Sequence, residues 1–426
     1  MIDRLKPPAF TPPAPFVLPH AKKHVLRGGV PVHYLDLGKQ PLLKIDFIFP
    51  FGKSTEPNKG INYLTAKMLT EGTKSYTAHQ ISETLDFYGA YTEINPGNDY
   101  TRFTVYTLSR YLEQITPLLI EILQEPVFPQ KELDILLEIY LNHLRINQEK
   151  TNYLASKAFK ENVFGINHPY GRFADEEDLK KVAHSNSLEQ YHKDHFQNGF
   201  FILVTGPIKA GVWHNLEQYF DEFKNLFSPS DFNSSTFNIQ PFASKNIEIA
   251  KPDALQSSLR IGKPIIGRLH PDYIPLYVCN EILGGYFGSR LMQNVREEKG
   301  YTYGIHSSLH HFKHASLFTI GSDIIKEYRE ATIDEINKEI KKLQNEAVGS
   351  IELDRVINYI KGHYLSGLST SFAISEKIKN ILLFDLNYEY YDNFFDELDK
   401  VTPEKIMEVA QTYLDTDDMI YVSAGI

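Results

Sequence analysis

Apolar and polar residues alternate along this chain in two ways, one typical of strands and one typical of amphipathic helices. Residues 43–49, Leu-Lys-Ile-Asp-Phe-Ile-Phe, show clear strand alternation, whereas residues 115–123 place their apolar side chains on one helical face. No run of about 18 or more apolar residues occurs, so no membrane-spanning helix is expected. Short strands mixed with helices favour an α+β fold, in which helices pack on a mostly antiparallel sheet.

The first half of the chain is predicted to contain a strand pair, a helical region and a hairpin, followed by further helices. The predicted strands are 30–35, 43–49, 91–95, 100–108 and 200–204, and the predicted helices are 60–73, 77–89, 115–123, 133–144, 153–164 and 188–196. Thr77 and Gln80 have capping-box spacing, and Gly89 is placed to end that helix. Pro96-Gly97-Asn98 predicts the turn of the hairpin.

The second half repeats this order of elements. Strands near Ile247 and Leu259 precede a helix, a glycine-rich stretch, a hairpin over 301–308 and 315–322, and two helices. The halves end alike, because Leu203 pairs with Val422 at an offset of 219. A repeat of this length predicts a duplicated domain. The expected divisions are an extended N-terminal arm (1–25), two domains (26–225 and 245–426) and a Ser/Asn/Pro-rich linker (226–244).

Residues 284–308 are the most distinctive stretch. Gly284, Gly285 and Gly288 predict a glycine-rich loop, which a short helix follows. Gly300 is placed to end the helix in a left-handed cap, and a strand follows from Thr302. Within this pattern Arg296 lies in the last helical turn and Tyr303 on the strand. The pattern alone is also compatible with an exposed arginine and a half-buried tyrosine of no special role.

Composition excludes several classes of function. The 426 residues carry 44 Lys and Arg against 54 Asp and Glu, a net charge of −10, so no basic surface for nucleic acid is expected. The single cysteine, Cys279, lies in an apolar run and is predicted to be a buried core thiol. The N-terminus has no signal-peptide core, which predicts a cytoplasmic location, or a periplasmic one if such a segment was removed.

The duplicated halves and the block Gly-Ser-Arg-Leu-Met-Gln-Asn-Val-Arg-Glu-Glu-Lys-Gly-Tyr-Thr-Tyr-Gly at 288–304 resemble the pitrilysin/insulinase family of zinc metalloendopeptidases. The resemblance covers nearly the whole chain after the N-terminal arm. It implies that Arg296 and Tyr303 bind substrate and stabilise the transition state. Gly284, Gly285 and Gly288 are predicted to be substrate-binding residues.

The zinc motif of the family is degenerate in this chain. Active members carry H-x-x-E-H on the first helix, and the similar segment Met68-Leu-Thr-Glu-Gly-Thr places the five motif positions at 63–67. Tyr63 and Lys67 replace the two histidines, and Ala66 replaces the general base. The third-ligand spacing falls near His143, and one histidine cannot hold zinc, so no metal is expected in this chain.

Two other histidine groups are weaker metal candidates. His192 and His195 stand three apart on a predicted helix, where a solvated face is the favoured interpretation. The remaining group is at a predicted hairpin, where an exposed turn is favoured over a two-ligand surface site. It consists of His310, His311 and His314.

The resemblance implies a non-catalytic, substrate-binding subunit of a heteromeric zinc metalloendopeptidase. A homologous partner subunit would supply zinc and the general base, and this chain would supply Arg296 and Tyr303 for the hydrolysis of small or unfolded peptides. The two chains would form a heterodimer or larger clamshell, and the isolated chain could self-associate. Peptide would add to a sheet edge, although Pro96 follows the edge segment 93–95 and disfavours that edge here.

Two alternatives stay open. One is a structural or chaperone-like subunit with no peptidase role, which predicts the same fold and the same degenerate zinc motif. It gives no reason for Arg296 and Tyr303 to be present together. The other is a peptidase that acts alone through an unrecognised metal site.

Overall fold

A computed structural model describes residues 14, 16–197, 199–220 and 244–426. The first of its two sheets is organised around an almost fully buried strand, β3, and contains one parallel pair, β2 with β6. Its strand order is β1-β2-β6-β3-β5-β4. The strands are β1 (Lys22–Val25), β2 (Pro31–Asp36), β3 (Leu42–Phe49), β4 (Tyr91–Pro96), β5 (Thr101–Leu108) and β6 (Phe201–Gly206).

Helices cover one face of this sheet and enclose a core built from the apolar sides of β3, β5 and β6. The helices of this half are α1 (Ile61–Met68), α2 (Ala78–Phe87), α3 (Leu112–Gln124), α4 (Gln130–Gln148), α5 (Thr151–Phe164), α6 (Glu176–Val182), α7 (Ser185–Tyr191) and α8 (Ala210–Phe220). Helix α7 continues as the π-helix His192–Phe196. Of the helices described, none has the length and apolar character needed to cross a membrane.

The second sheet has the order β7-β11-β8-β10-β9. Its strands are β7 (Asn246–Ile249), β8 (Gln256–Pro264), β9 (Thr302–His311), β10 (Ser316–Ile325) and β11 (Ile420–Ala424). Its helices are α9 (Tyr273–Asn280), α10 (Arg329–Asn345), α11 (Ser350–Ser366), α12 (Ser371–Leu383), α13 (Tyr388–Asp392), α14 (Phe394–Asp399) and α15 (Pro403–Tyr413). Two π-helices, Glu281–Gly285 and Met292–Glu298, lie between α9 and β9.

The two sheets have the same topology. The order β2-β6-β3-β5-β4 corresponds to β7-β11-β8-β10-β9, and in each sheet the first two of these strands are the parallel pair. Leu203 in β6 and Val422 in β11 are both fully buried at equivalent places. The α+β class with two homologous halves is therefore confirmed. The predicted domain boundaries stay predictions, and residues 226–243 of the predicted linker lie outside the described residues.

Each half sends a helix across the sheet of the other half. Helix α5 packs on β8 and β11, and its apolar residues share a core with Ile420 and Val422. Helix α12 packs on β6, where Thr205 Oγ1 donates to Ser375 Oγ at 2.9 Å. Helices α5 and α12 therefore join the two halves, because the side chains of each helix pack on the sheet of the other half.

The N-terminal segment is more integrated than an extended arm. Leu18 is fully buried in the core of the C-terminal half, and its backbone N–H donates to Asp392 Oδ1 at 3.2 Å. Strand β1, which the sequence pattern did not predict, then pairs antiparallel with β2. Residues 1–13 and 15 of the predicted arm lie outside the described residues.

Local predictions in the first half hold in most places. The Thr77/Gln80 capping box is present, and Gly89 ends α2 with a φ of 60°. The predicted helix 60–73 is shorter, because helical hydrogen bonding stops at Met68 and the chain turns at Gly72, whose φ is 146°. That conformation suits glycine and interrupts a helix.

Candidate functional site

The stretch from Glu281 to β9 carries the predicted functional residues on two π-helices, the loop between them and the start of β9. Gly300, with a φ of 68°, follows the π-helix Met292–Glu298 and confirms the predicted left-handed cap. Arg296 lies in that π-helix, and its guanidinium carbon is 4.8 Å from the ring centroid of Phe287. The Phe287 side chain is 65% exposed. Arg296 therefore stacks on an exposed aromatic ring, which orients its guanidinium at the surface.

Tyr303 lies on a β-bulge at the start of the edge strand β9. Tyr303 and Gly304 together face Asp323, because the pairing register shifts between Ser322 and Ile324. The Thr302 hydroxyl braces the bulge by donating to the Asp323 carbonyl at 2.6 Å and accepting from Gly304 N at 3.1 Å. The Tyr303 side chain is 92% exposed, and its hydroxyl has no partner in the part of the chain described. Bulges of this kind redirect a side chain away from the sheet.

The glycines of this segment serve close packing. Gly284 and Gly285 are in the π-helix Glu281–Gly285, so the prediction of a loop is wrong for these two and holds only for the residues that follow. A Cβ atom at Gly284 would lie 2.6 Å from Ser307 N of β9, and one at Gly285 would lie 2.5 Å from the Glu281 carboxyl. Gly288 lies in the loop, where a Cβ would lie 2.8 Å from the Tyr286 ring. A substrate-binding role for these glycines stays a prediction.

Glu281 is a buried carboxyl at the start of this stretch. Its side chain is 8% exposed, and no ion pair joins it to another described residue. Burial raises the pKa of Glu281 to about 7. Burial, followed by the Glu281 carboxyl, raises the pKa values of Tyr277 and Tyr359. At neutral pH this acid is therefore divided between its neutral and charged forms.

Replacing Glu281 by glutamine should remove a pH dependence of stability. The folded-state pKa, about 7, exceeds the ordinary 4.5, so the charged form is destabilised in the folded state and stability falls as pH rises from about 4.5 through about 7. Above that range we expect Glu281→Gln to be more stable than the natural chain by about 2–3 kcal/mol. Urea unfolding of both chains near pH 5 and pH 8 measures this. Exposed Glu297→Gln is the control, and parallel pH profiles for Glu281→Gln and the natural chain would contradict the expectation.

The degenerate zinc-motif positions are occupied by contacts that exclude a metal. Lys67 Nζ donates to the Ile94 carbonyl of β4 at 2.7 Å, and Tyr63 packs on Tyr140 with ring centroids 4.6 Å apart. Ala66 is fully buried in α1, and His143 is exposed on α4. A cation and an aromatic pair are not a donor set for zinc. The residues at these positions do not fit the metal that the resemblance implies.

The same lysine occupies one carbonyl at the edge of the first sheet. Strand β4 is an edge strand, as expected, and the Ile94 carbonyl points away from β5 because it accepts from Lys67. Residues two apart on a strand direct their backbone groups to the same side, so Pro96 would present the next N–H on that side, and it has none. The Ile94 carbonyl and the position of Pro96 are therefore both unavailable to a peptide strand at this end of β4.

Removing the Lys67 ammonium should cost about 1 kcal/mol of unfolding free energy, because the Ile94 carbonyl loses a charge-assisted hydrogen bond. Burial lowers the pKa of Lys67, and Glu93 partly offsets this. Lys67→Met keeps the apolar stem, so packing is retained. Urea unfolding is the measurement, with Lys131→Met at an exposed position of α4 as control. Equal midpoints for the two variants would show that the contact contributes nothing.

Of the other candidate histidines, His192 and His311 pack against the protein and His310 is exposed. His192 is buried, and its Nε2 lies 2.9 Å from the Leu123 carbonyl, so the solvated-face interpretation is wrong for it. Burial lowers its pKa to about 4. His310 and His311 lie on β9 rather than in an exposed turn, and His311 Nε2 is 3.0 Å from the Tyr273 hydroxyl. Within the described ranges no three His, Cys, Asp or Glu residues form a group that could hold a metal.

The predicted thiol is also structural. Cys279 is fully buried in α9, and burial raises its pKa to about 12. A thiol with this pKa is inert as a nucleophile at neutral pH.

Comparison with known proteins gives two family matches. A model described as insulinase, peptidase family M16, matches residues 47–168, and one described as the peptidase M16 inactive domain matches residues 184–360. Over 362 residues the chain is 23% identical to a protein named uncharacterized zinc protease YmxG from Bacillus subtilis strain 168. That alignment covers 84% of this chain and 86% of YmxG. It is also 23% identical to the probable inactive metalloprotease YmfF of the same organism over 410 residues. That alignment covers 90% of this chain and 93% of YmfF.

The structural comparison concerns the fold alone. A solved structure of the peptidase M16 inactive domain from Pseudomonas fluorescens matches with a TM-score of 0.82 at 22% identity, covering 95% of this chain and 98% of that one.

Proposed function

Because the chain belongs to the insulinase family, peptidase family M16, as an inactive homologue, we propose that it is the substrate-binding subunit of a heteromeric zinc metalloendopeptidase. A homologous partner subunit carries zinc and the general base. This chain contributes Arg296 and Tyr303 to the hydrolysis of small or unfolded peptides.

The observation that carries the proposal is the contrast between the two halves. In the N-terminal half the zinc-motif positions make contacts within the chain, and Lys67 donates a hydrogen bond to the Ile94 carbonyl. In the C-terminal half Tyr303 is directed into solvent by a braced bulge, and Arg296 stacks on exposed Phe287. An exposed tyrosine without a partner in the described residues serves no packing purpose, so a group from outside the chain is its natural partner.

The geometry supports a defined chemical role for each residue. The Tyr303 hydroxyl can donate a hydrogen bond to the oxyanion that develops on a scissile carbonyl, which is where such donors contribute most to rate. Arg296 presents a planar fork of donors and can hold a neighbouring peptide carbonyl. The metal-bound water and its base come from the partner, because the positions for them in this chain hold Ala66 and Lys67.

Reconstitution tests the proposal. We expect the purified chain to bind an unstructured fluorogenic peptide without cleaving it and to retain no stoichiometric zinc after dialysis. Addition of a zinc-bearing homologous chain with H-x-x-E-H should produce cleavage that neither chain shows alone, and a chelator should abolish it. The matched control is the same partner with its motif glutamate replaced by glutamine. A complex that forms but cleaves no faster than the partner alone would support the structural or chaperone-like role instead.

A further inference from the structure

A row of basic side chains lies on the face of the second sheet that α5 crosses. Arg260 of β8 is opposite Gly321 of β10, which is opposite His306 of β9. A Cβ atom at Gly321 would come 3.4 Å from His306 Nε2 and 3.5 Å from Arg260 Nη1, so both side chains lie over this glycine. His310 follows on the same face of β9, because it is an even number of residues from His306.

Helix α5 adds a lysine to this row. Arg260 Nε donates to Ser156 Oγ at 3.0 Å, and Lys160 lies one helical turn beyond Ser156. Lys160 is half-buried and forms no ion pair with any residue that the structure describes. Burial, followed by Lys160 and His306, lowers the pKa of His310.

Lys53, in the segment after β3, is a second half-buried lysine. Its ammonium lies 4.3 Å from the Phe173 ring centroid, and burial followed by Lys160 lowers its pKa to about 8. Glu56 and Glu161 oppose that shift in part. The Asp323 carboxylate is 4.0 Å from Arg260 and offsets the charge of that side chain. Lys53 and Lys160 are left with no carboxylate within ion-pair distance in the described chain.

The equivalent face in the N-terminal half carries a carboxylate beside its basic side chains. At the offset of 219, Lys160 corresponds to Lys379 of α12, and Lys157 corresponds to Glu376. Glu376 accepts hydrogen bonds from Lys379 at 2.5 Å and from Lys44 at 2.6 Å. The α5 counterpart lacks this carboxylate, because Lys157 takes its place.

We propose that this basic row binds a carboxylate of the substrate peptide, supplied by an acidic side chain or by a free C-terminus. The proposal rests on the proposed function and specifies its substrate. Tyr303 precedes His306 by three residues on β9, a span of about 10 Å. The bulge sets Tyr303 opposite Asp323, which is two residues from Gly321 on β10 and so on the face of the row. A peptide held at Tyr303 thus reaches the row with a carboxylate two to three residues from the scissile bond. The ligand carboxylate takes the place that Glu376 has on the equivalent face.

Peptide binding to the full chain tests this assignment. Fluorescence anisotropy compares a labelled glutamate-rich peptide with its glutamine counterpart, each with a free and with an amidated C-terminus. We expect the glutamate peptide to bind about tenfold more tightly, and Lys160→Gln to remove most of that difference without weakening the neutral peptide. Preference for the free C-terminus in the glutamine pair would identify the terminal carboxylate as the ligand.

Controls separate the two proposals. Lys157→Gln is the matched variant, because Lys157 is on the same helix but is 3.8 Å from Glu161. It should bind like the natural chain. Lys53→Gln is a second test if Lys160→Gln does not fold. The carboxylate assignment is overturned if the glutamate and glutamine peptides bind with equal affinity, or if Lys160→Gln weakens both equally. Either result leaves the substrate-binding function standing. Absence of binding to every peptide overturns the substrate-binding function as well.

Discussion

Replacing Glu376 by alanine should lower the free energy of unfolding by about 2–3 kcal/mol and loosen the two halves from each other. Glu376 lies on α12 of the C-terminal half and accepts from Lys44 of β3 at 2.6 Å and from Arg102 of β5 at 2.7 Å. Both partners belong to the other half, and Lys44 is 2% exposed. Removing one member of a buried charge cluster leaves the others without compensation, which costs about 3–5 kcal/mol when the pair is fully buried.

The expected cost is below that range for two reasons. The Glu376 side chain is 40% exposed, so solvent screens part of the interaction. Asp46, fully buried beside Lys44 at 3.0 Å, continues to pair with that lysine in the variant. Urea unfolding of Glu376→Ala measures the effect. Glu397→Ala, which removes a surface pair with Lys400, should change stability by less than about 0.5 kcal/mol. A result for Glu376→Ala no larger than this control would show that the cluster does not join the halves.

The same cluster predicts a loss of stability in acid. Burial alone would raise the pKa of Glu376, but Lys379 and Lys44 outweigh it and lower the pKa to about 2. A lowered folded-state pKa contributes stability that is present above the ordinary value of 4.5 and is lost as pH falls from there through about 2. The natural chain should therefore lose more stability than Glu376→Ala over this interval.

Features that depend on neighbouring residues were predictable from the sequence. The Thr77/Gln80 capping box, the left-handed Gly300 and the buried Cys279 all follow from local chemistry, and the structure has each of them. The duplication was also visible, because the apolar strand that closes each half retains its spacing. This explains why the fold class could be predicted without any knowledge of long-range contacts.

Features that depend on distant segments were not predictable. Spacing places His192 on a helix, but only the packing of that helix against the end of α3 shows that its ring is buried beside the Leu123 carbonyl. The contact of Lys67 with Ile94 joins residues 27 apart in the chain. One signal was available for the charge cluster, since Lys44 and Asp46 stand two apart in an otherwise apolar strand. Charges on one face of a buried strand require partners from elsewhere.

Replacing Tyr303 by phenylalanine should reduce the turnover of the reconstituted enzyme by about 10²–10³-fold while leaving the chain as stable as before. The change removes one hydroxyl from a side chain that is 92% exposed, so the expected change in unfolding free energy is within about 0.5 kcal/mol. Because the hydroxyl would act on the oxyanion of the transition state, kcat should fall and KM should change little.

The matched control for this variant lies on the edge strand of the first half. Tyr91 begins β4, is 62% exposed and contacts Tyr106, so Tyr91→Phe removes a comparable hydroxyl at the equivalent edge. At that edge the Ile94 carbonyl is occupied by Lys67 and Pro96 has no N–H, so the Tyr91→Phe variant should keep full activity. Steady-state kinetics with the zinc-bearing partner in excess compare the two. Full activity of Tyr303→Phe would mean that the exposed tyrosine plays no part in the chemistry, and the substrate-binding role would then have to rest on Arg296 alone.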